Sequence, residues 1–469
     1  MSEDNLTFVC VSCKTSLVGD INSFKDTKDA KCCENPNYKV ELLDNNGNKR
    51  LISVGKYLSY KNNKLIKKDE KGKEVLDIFE DKKDRVKEVS ERIKKLLEQG
   101  KLWDEIVFTG LNKRIIEHIE LREVVFCFIL GRLVKNSKPA SLNLLVKGDS
   151  GSGKDWVVKN VGDLFPEQDI EYFGRATSKA FNYVNDSKEN PNYNYDGKVV
   201  YLEEITEKTL NDEVMKVWTS GKNRMVSVER GKSIIKEPKG KPVIIATSFS
   251  AIPSIEILNR FGILYAKTSP DMKKRVMCQR LKVATEGLED NYDPEILNFL
   301  ALLKPFKIKI PFAEKLGKHI DAEKLQGESR VIDRILDIIK SVAIFNQFLK
   351  EPDKESFLVA DEKDYEIARG VIKNITVGFP DFLLDEKQKE ILEILNNEKE
   401  PLSAEDILTK VRSFIISIQG FRPHLQRLVD LKKIEAIPLL NERHYNINKY
   451  QVLETKKEYH IKLPPFDEL

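Results

Sequence analysis

The stretch "GDSGSGKD", Gly148 to Asp155, lies between the apolar run "LNLLV" and the helical pattern "DWVVKNV". Glycines at Gly148, Gly151 and Gly153, ahead of a lysine, let successive backbone N–H groups point at phosphate oxygens. The spacing predicts a strand, a phosphate-binding loop and a helix whose N-terminus adds positive potential. Gly148, Asp149, Ser150, Gly151, Ser152, Gly153, Lys154 and Asp155 form that loop, with Lys154 reaching the terminal phosphates. The residue after the lysine is ordinarily Ser or Thr, whose hydroxyl ligates Mg²⁺; here it is Asp155. Two readings stay open. Asp155 ligates the cation as an anion, or it turns away and only favours the helix N-terminus.

From about 140 to 270, short apolar runs alternate with polar loops and helical stretches. "LNLLV", "KVVYLEE" and "PVIIATS" have the length and β-branched content of buried parallel strands, which sets the fold class as α/β. The second run delivers Glu203 and Glu204 to the carboxyl end of its strand, the end at which open α/β sheets bind ligands. Glu203 is placed to support Mg²⁺ and Glu204 to orient an attacking water.

In their order, "LLVKGDSGSGKD", "VVYLEE", "VIIATS" and "ILNRFG" resemble the two Walker motifs, sensor 1 and arginine finger of AAA+ ATPases of the helicase kind. Two branches compete. "ILNRF" is similar to the minichromosome maintenance helicases; "TSGKNRMVSVERGKSIIKEPKGKPVIIATS" is similar to the superfamily 3 initiator-helicases of viruses and plasmids. The resemblance covers about residues 105 to 285 and implies an AAA+ P-loop ATPase core that uses ATP and Mg²⁺. It also implies a ring-shaped homo-oligomer, a hexamer, acting on DNA. Lys154, Glu204, Ser248 and Arg260 would be the catalytic residues: Ser248 senses the terminal phosphate, and Arg260 completes a neighbour's site. Ser248 departs from the Asn usual at sensor 1. For Arg260, a plain surface arginine at a helix end stays open beside the finger.

The charge is nearly balanced, 79 basic against 75 acidic residues, so any nucleic-acid surface must be local. Between Lys216 and Lys241, eight basic residues face only Glu229 and Glu237. "RMVSVE" and "SIIKE" flank "RGK", which predicts a β-hairpin with Arg230 and Lys232 near its tip. Lys222, Arg224, Arg230, Lys232 and Lys236 are its candidate DNA contacts, against a solvated edge hairpin. Near the carboxyl terminus, "KQKEILEILNN", "SAEDILTKV", "RPHLQRLVDLKKI" and "IEAIPLLNERHYNI" match three helices and a hairpin, a winged helix-turn-helix. Its third helix presents Arg422 and Arg427 to DNA or to a protein.

Cys10, Cys13, Cys32 and Cys33 crowd the first 33 residues. They suit a structural Zn²⁺ site, against a three-ligand site or reduced buried thiols. No apolar run approaches the roughly 18 residues of a membrane span, and "MSEDNLTF" lacks signal-peptide architecture, so a cytoplasmic protein without membrane partners is expected. The expected organisation is a zinc unit at 1–60, a charged linker and helical region at 61–139 and the ATPase core at 140–284. A helical domain at 285–384 and the winged helix with a tail at 385–469 follow. The function expected is an ATP-driven DNA helicase or replication initiator of a mobile element or virus; the alternative is an ATP-switched DNA-binding regulator or helicase loader that does not unwind.

Overall fold

The computed structural model describes residues 6–10, 15–19, 38–44, 49–53, 66–68, 74–76, 89–174, 194–220, 225–229, 232–236, 240–286, 292–320, 328–377, 384–398, 400–413, 416–431, 433–440, 446–453 and 459–469. Near the amino terminus lie β1 (Leu6–Cys10), β2 (Ser16–Gly19), β3 (Tyr38–Asp44), β4 (Lys49–Ser53), β5 (Ile66–Lys68) and β6 (Glu74–Leu76). They form one sheet in the order β2-β1-β3-β6-β5, with β4 also on β3. Alternation in "TFVC" buries Phe8, and Phe8, Cys10 and Val40 join the main hydrophobic core. Of the four candidate zinc ligands, Cys10 is buried at the end of β1, while Cys13, Cys32 and Cys33 lie outside the described residues.

The central sheet is built from runs buried on both faces. β7 (Leu144–Lys147), β9 (Val199–Leu202) and β12 (Val243–Ser248) are buried at every position, as near-continuous apolar strands in a parallel sheet must be. With β8 (Ile170–Phe173) and β13 (Gly262–Tyr265) they run parallel in the order β13-β7-β12-β9-β8. Register sets Leu144 beside both Ile245 and Gly262, and Val199 beside both Val243 and Ile170. The chain leaves β7 for the far edge, works back to β12, then crosses to the other side of β7. That reversal opens a crevice at the carboxyl end of β7, where a ligand fits.

Helix α1 (Ile119–Gly131) is predominantly apolar, and every residue from Leu121 to Gly131 is buried, Arg122 and Glu123 included, the condition of a helix enclosed by other elements. It shares one core cluster with the sheet and with α4 (Glu328–Phe345), which contributes Ile335, Ile338, Ile339 and Val342. Trp103 meets Phe126 and Phe345 edge-on at 5.2 and 5.3 Å. In sequence α2 (Lys154–Gly162) connects β7 to β8, and α3 (Pro270–Glu286) lies between β13 and α4.

β10 (Met225–Glu229) and β11 (Lys232–Lys236) pair antiparallel from Met225↔Lys236 to Glu229↔Lys232, a hairpin separate from the central sheet. Lys232 and Lys236 are the ends of β11; Lys222, Arg224 and Arg230 lie outside the described residues.

The carboxyl-terminal module holds α5 (Glu386–Asn396), β14 (Leu402–Ser403), α6 (Ala404–Lys410), α7 (Ile418–Asp430), β15 (Ile434–Leu440) and β16 (Asn446–Val452). Its antiparallel sheet has the order β14-β16-β15, and Ile391, Phe421, Leu425, Leu428 and Ile434 form its core with Ile263 of β13. Ser417 caps α7, accepting from the Gly420 N–H at 3.3 Å, and the helix runs through Pro423. The chain then leaves this module. Its last strand, Tyr459–His460, pairs with Thr376–Val377, which pairs antiparallel with β13, and Ile461 and Leu463 enter the main core. Among the described residues, no helix is long and apolar enough to cross a membrane.

Candidate nucleotide site

β7 ends at Lys147, whose buried ammonium donates to the carbonyls of Phe249 and Ala251, both at 2.8 Å. Burial lowers its pKa to about 8, and these bonds fix the segment after β12 beside the loop that follows. In that loop Gly151 has φ +74° and Gly153 φ +85°, conformations a side chain would strain. A Cβ at Gly148 would stand 2.9 Å from Ser152 Oγ and 3.0 Å from Ala266 Cβ. Ser152 is buried, and its hydroxyl has no hydrogen-bond partner among the described residues. Tyr265 OH reaches Asp149 Oδ1 at 3.3 Å, while Asp149 and Ser150 face solvent. His118, at φ +62° before α1, supports the loop from beneath, its Nε2 lying 2.7 Å from the Ser152 carbonyl.

Lys154 opens α2 and is 2 % exposed. Its ammonium pairs with Glu204 and stands 3.5 Å from Asp155 Oδ2. Asp155 Oδ1 accepts from Tyr201 OH at 2.7 Å and from the Thr247 hydroxyl at 2.5 Å. Thr247 Oγ1 also accepts the Glu204 N–H at 3.1 Å. One threonine thus ties the start of α2 to the ends of β9 and β12. Glu204 sits at φ +49°, an uncommon conformation for a side chain with a Cβ, and its carboxylate accepts from Phe249 N at 3.1 Å. Glu203 turns elsewhere: its two oxygens take Lys159 Nζ at 2.7 and 2.8 Å.

Beside the loop opens a cavity of about 530 Å³. Ile115 and Ile116 line it together with Trp156 of α2 and Met272, Val276 and Val283 of α3. The wall at 112–117 is held by the buried Arg122, which donates to the Ile115 carbonyl, to the Glu117 carbonyl at 2.9 Å and to Asn112 Oδ1 at 2.6 Å. Helix α3 has no buried residue and is fastened across the cavity by Arg275 to Glu117. An apolar slot next to a phosphate cradle suits a nucleotide, base in the slot and phosphates on the loop.

The residues fit a nucleoside polyphosphate with its divalent cation. The cradle at Gly148, the orphaned Ser152 hydroxyl and the buried ammonium of Lys154 await anionic oxygens. Among the described residues no three His, Cys, Asp or Glu side chains converge as a metal cage. Mg²⁺ beside phosphates needs only one or two carboxylates, and Asp155, Glu203 and Glu204 surround the lysines.

One expectation changes, at Ser248. Ser248 is 1 % exposed, its hydroxyl donating to the Ile205 carbonyl and accepting from Ala251 N, both at 2.9 Å. Strand alternation turns it from the loop, and Thr247 is the β12 residue that faces Asp155. Arg260 lies beside Asn143 at the opposite end of the sheet from the loop, 7 % exposed. Its guanidinium donates to the Lys216 carbonyl at 2.9 Å and Glu256 at 2.6 Å. In α7, Arg422 is exposed near Glu405, whereas Arg427 lies 3.7 Å from Glu207 of the core. The sequence reading missed His118, Lys147, Lys159, Tyr201 and Thr247. Only Tyr201, inside "VVYLEE", carried a signal: a phenol in an otherwise aliphatic strand next to two carboxylates.

No curated protein matches the chain. Residues 85–300, which carry the loop, the five parallel strands and both walls of the cavity, match the family described as MTBMA_p00010 P-loop domain, which supports a P-loop nucleotide site here.

Proposed function

We propose that the chain is an ATP-driven DNA helicase or replication initiator, working as a ring-shaped homo-oligomer, a hexamer, in the cytoplasm. The observation that carries the reading is the pairing of this nucleotide site with the β10–β11 hairpin, which leaves the domain just before β12 within a strongly basic segment. Strands that grip DNA phosphates without reading bases need such a local positive surface, and this chain has little net charge elsewhere. The fold of the carboxyl-terminal module, three helices with an antiparallel sheet, supports a winged helix, with the exposed Arg422 as its DNA contact. Zn²⁺ on Cys10, Cys13, Cys32 and Cys33 belongs to the same reading.

Lys154 exchanges its carboxylate partner for phosphate, and Glu204, beside it at the strand end, orients water. Mg²⁺, when bound, neutralises charge on the phosphates. The test is unwinding of forked DNA with 3′ or 5′ tails. Wild type is expected to separate strands with ATP, and Glu204→Gln to lose about 10²–10⁴-fold in hydrolysis and all unwinding. Unwinding that survives in Glu204→Gln refutes the mechanism.

The exposed Arg422 of the carboxyl-terminal module also supports a second reading, a regulator or loader that binds DNA in an ATP-switched manner. That protein would hydrolyse slowly and protect a DNA site without strand displacement.

A further inference from the structure

Asp155 occupies the position at which a phosphate-binding loop carries its metal-ligating hydroxyl. A carboxylate that served only the helix N-terminus would need no fixed orientation, since that effect depends on proximity. Asp155 is fixed on one side. Oδ1 takes two hydroxyl donors, Tyr201 at 2.7 Å and Thr247 at 2.5 Å, which themselves stand 3.3 Å apart. Both donors are rooted in the sheet: Tyr201 is 1 % exposed, Thr247 is fully buried, and Tyr201 pairs with Ile245 across β9 and β12. The Tyr201 ring is held edge-on against Tyr172 with centroids 5.8 Å apart. Oδ2 has Lys154 at 3.5 Å, and the side chain is 26 % exposed.

We infer that Asp155 is a ligand, through Oδ2, of the divalent cation that accompanies the nucleotide, and that Tyr201 and Thr247 are the positioning residues that fix its other oxygen. The inference rests on the nucleotide-site reading. A hard carboxylate oxygen is a good donor for Mg²⁺, and hydroxyls bonded to a ligating carboxylate tune metal affinity from behind. An anionic ligand acts in two directions. It attracts the cation, and it repels phosphate when the cation is missing. A neutral hydroxyl does neither to the same degree, so this loop should demand its metal more strictly.

The experiment uses the full-length protein, ADP and Mn²⁺ as a paramagnetic probe, with free Mn²⁺ read by electron paramagnetic resonance. ADP affinity in EDTA is measured beside it by calorimetry. Asp155→Asn, which keeps the shape and the acceptor for both hydroxyls, is expected to lower Mn²⁺ affinity of the ADP complex by about 10–100-fold and to tighten metal-free ADP binding. Asp155→Thr recovers part of the Mn²⁺ affinity through its hydroxyl and keeps the tighter metal-free binding. Tyr201→Phe lowers Mn²⁺ affinity by about tenfold with metal-free ADP binding unchanged, a split that mere loss of stability does not produce. If Asp155→Asn does not fold, Asp155→Thr and Tyr201→Phe decide. Mn²⁺ affinity equal to wild type in Asp155→Asn, with ADP still bound, overturns the ligand and leaves the nucleotide site standing. Mn²⁺ affinity equal to wild type in Tyr201→Phe overturns the positioning role. Failure of wild type to bind ADP at all overturns the nucleotide-site reading and this inference with it.

Discussion

His118 holds a left-handed backbone conformation directly under the phosphate loop, and its ring nitrogen meets the Ser152 carbonyl. Burial lowers its pKa below the ordinary histidine value, and the contacts with the Ser152 carbonyl and Glu117 oppose this only in part. The native chain therefore binds fewer protons here than the unfolded chain as the pH drops below about 6.5. Stability is fully present above that pH and is lost as the pH falls through the depressed value. Thermal melts between about pH 7.5 and 5.5 should show a steeper loss for wild type than for His118→Gln, which keeps a donor but does not titrate. Equal slopes would remove His118 as a source of acid sensitivity. Nothing in "RIIEHIELR" distinguished this histidine from a helix surface residue, because its contact lies 34 positions away in sequence.

At the scale of elements, the strands were legible where apolar runs were short and unbroken, as in "VVYL" and "VIIATS". Which face each side chain takes was not. Thr247 and Ser248 are both buried hydroxyls at the end of β12, and alternation gives them opposite faces. Only the position of α2 over the sheet decides that Thr247 meets Asp155. Helix α4 was legible from its spacing, yet "RVIDRILDIIKSVAIF" says nothing about its partner. In the fold it closes the core against α1, and Ile339 there is fully buried. Ile339→Ala should cost about 2–5 kcal/mol in denaturant unfolding, from lost burial and the cavity left behind. A cost below about 1 kcal/mol would mean that α1 and α4 are not one core.

For the whole molecule, the helical stretches before and after the P-loop strands contribute to a single core cluster, and the carboxyl terminus returns to it after leaving the small module. Long-range pairing of very short strands, such as Thr376–Val377 with Tyr459–His460, leaves no periodic trace in sequence. Assembly is tested at this scale. Under the ring reading, Arg260→Ala lowers hydrolysis by about 10³–10⁵-fold by removing a charge supplied to the neighbouring site. Mixing it with Lys154→Ala subunits, which keep Arg260 but not the phosphate-binding lysine, should restore part of the rate. A mixture no faster than its parts would leave Arg260 with its intrachain bonds alone.

The phosphate loop, the buried strands and the two carboxylates after β9 can all be read along the chain. These depend on local features: glycine freedom, apolar run length and the direction in which a parallel strand ends. Tertiary structure alone decided the identity of the partners at the loop. Asp155 became a carboxylate anchored by Tyr201 and Thr247, Glu203 turned to Lys159, and His118 and Arg122 became supports for the loop and the cavity wall. Hydrogen bonds between side chains far apart in sequence depend on strand order and face, which a linear pattern does not encode.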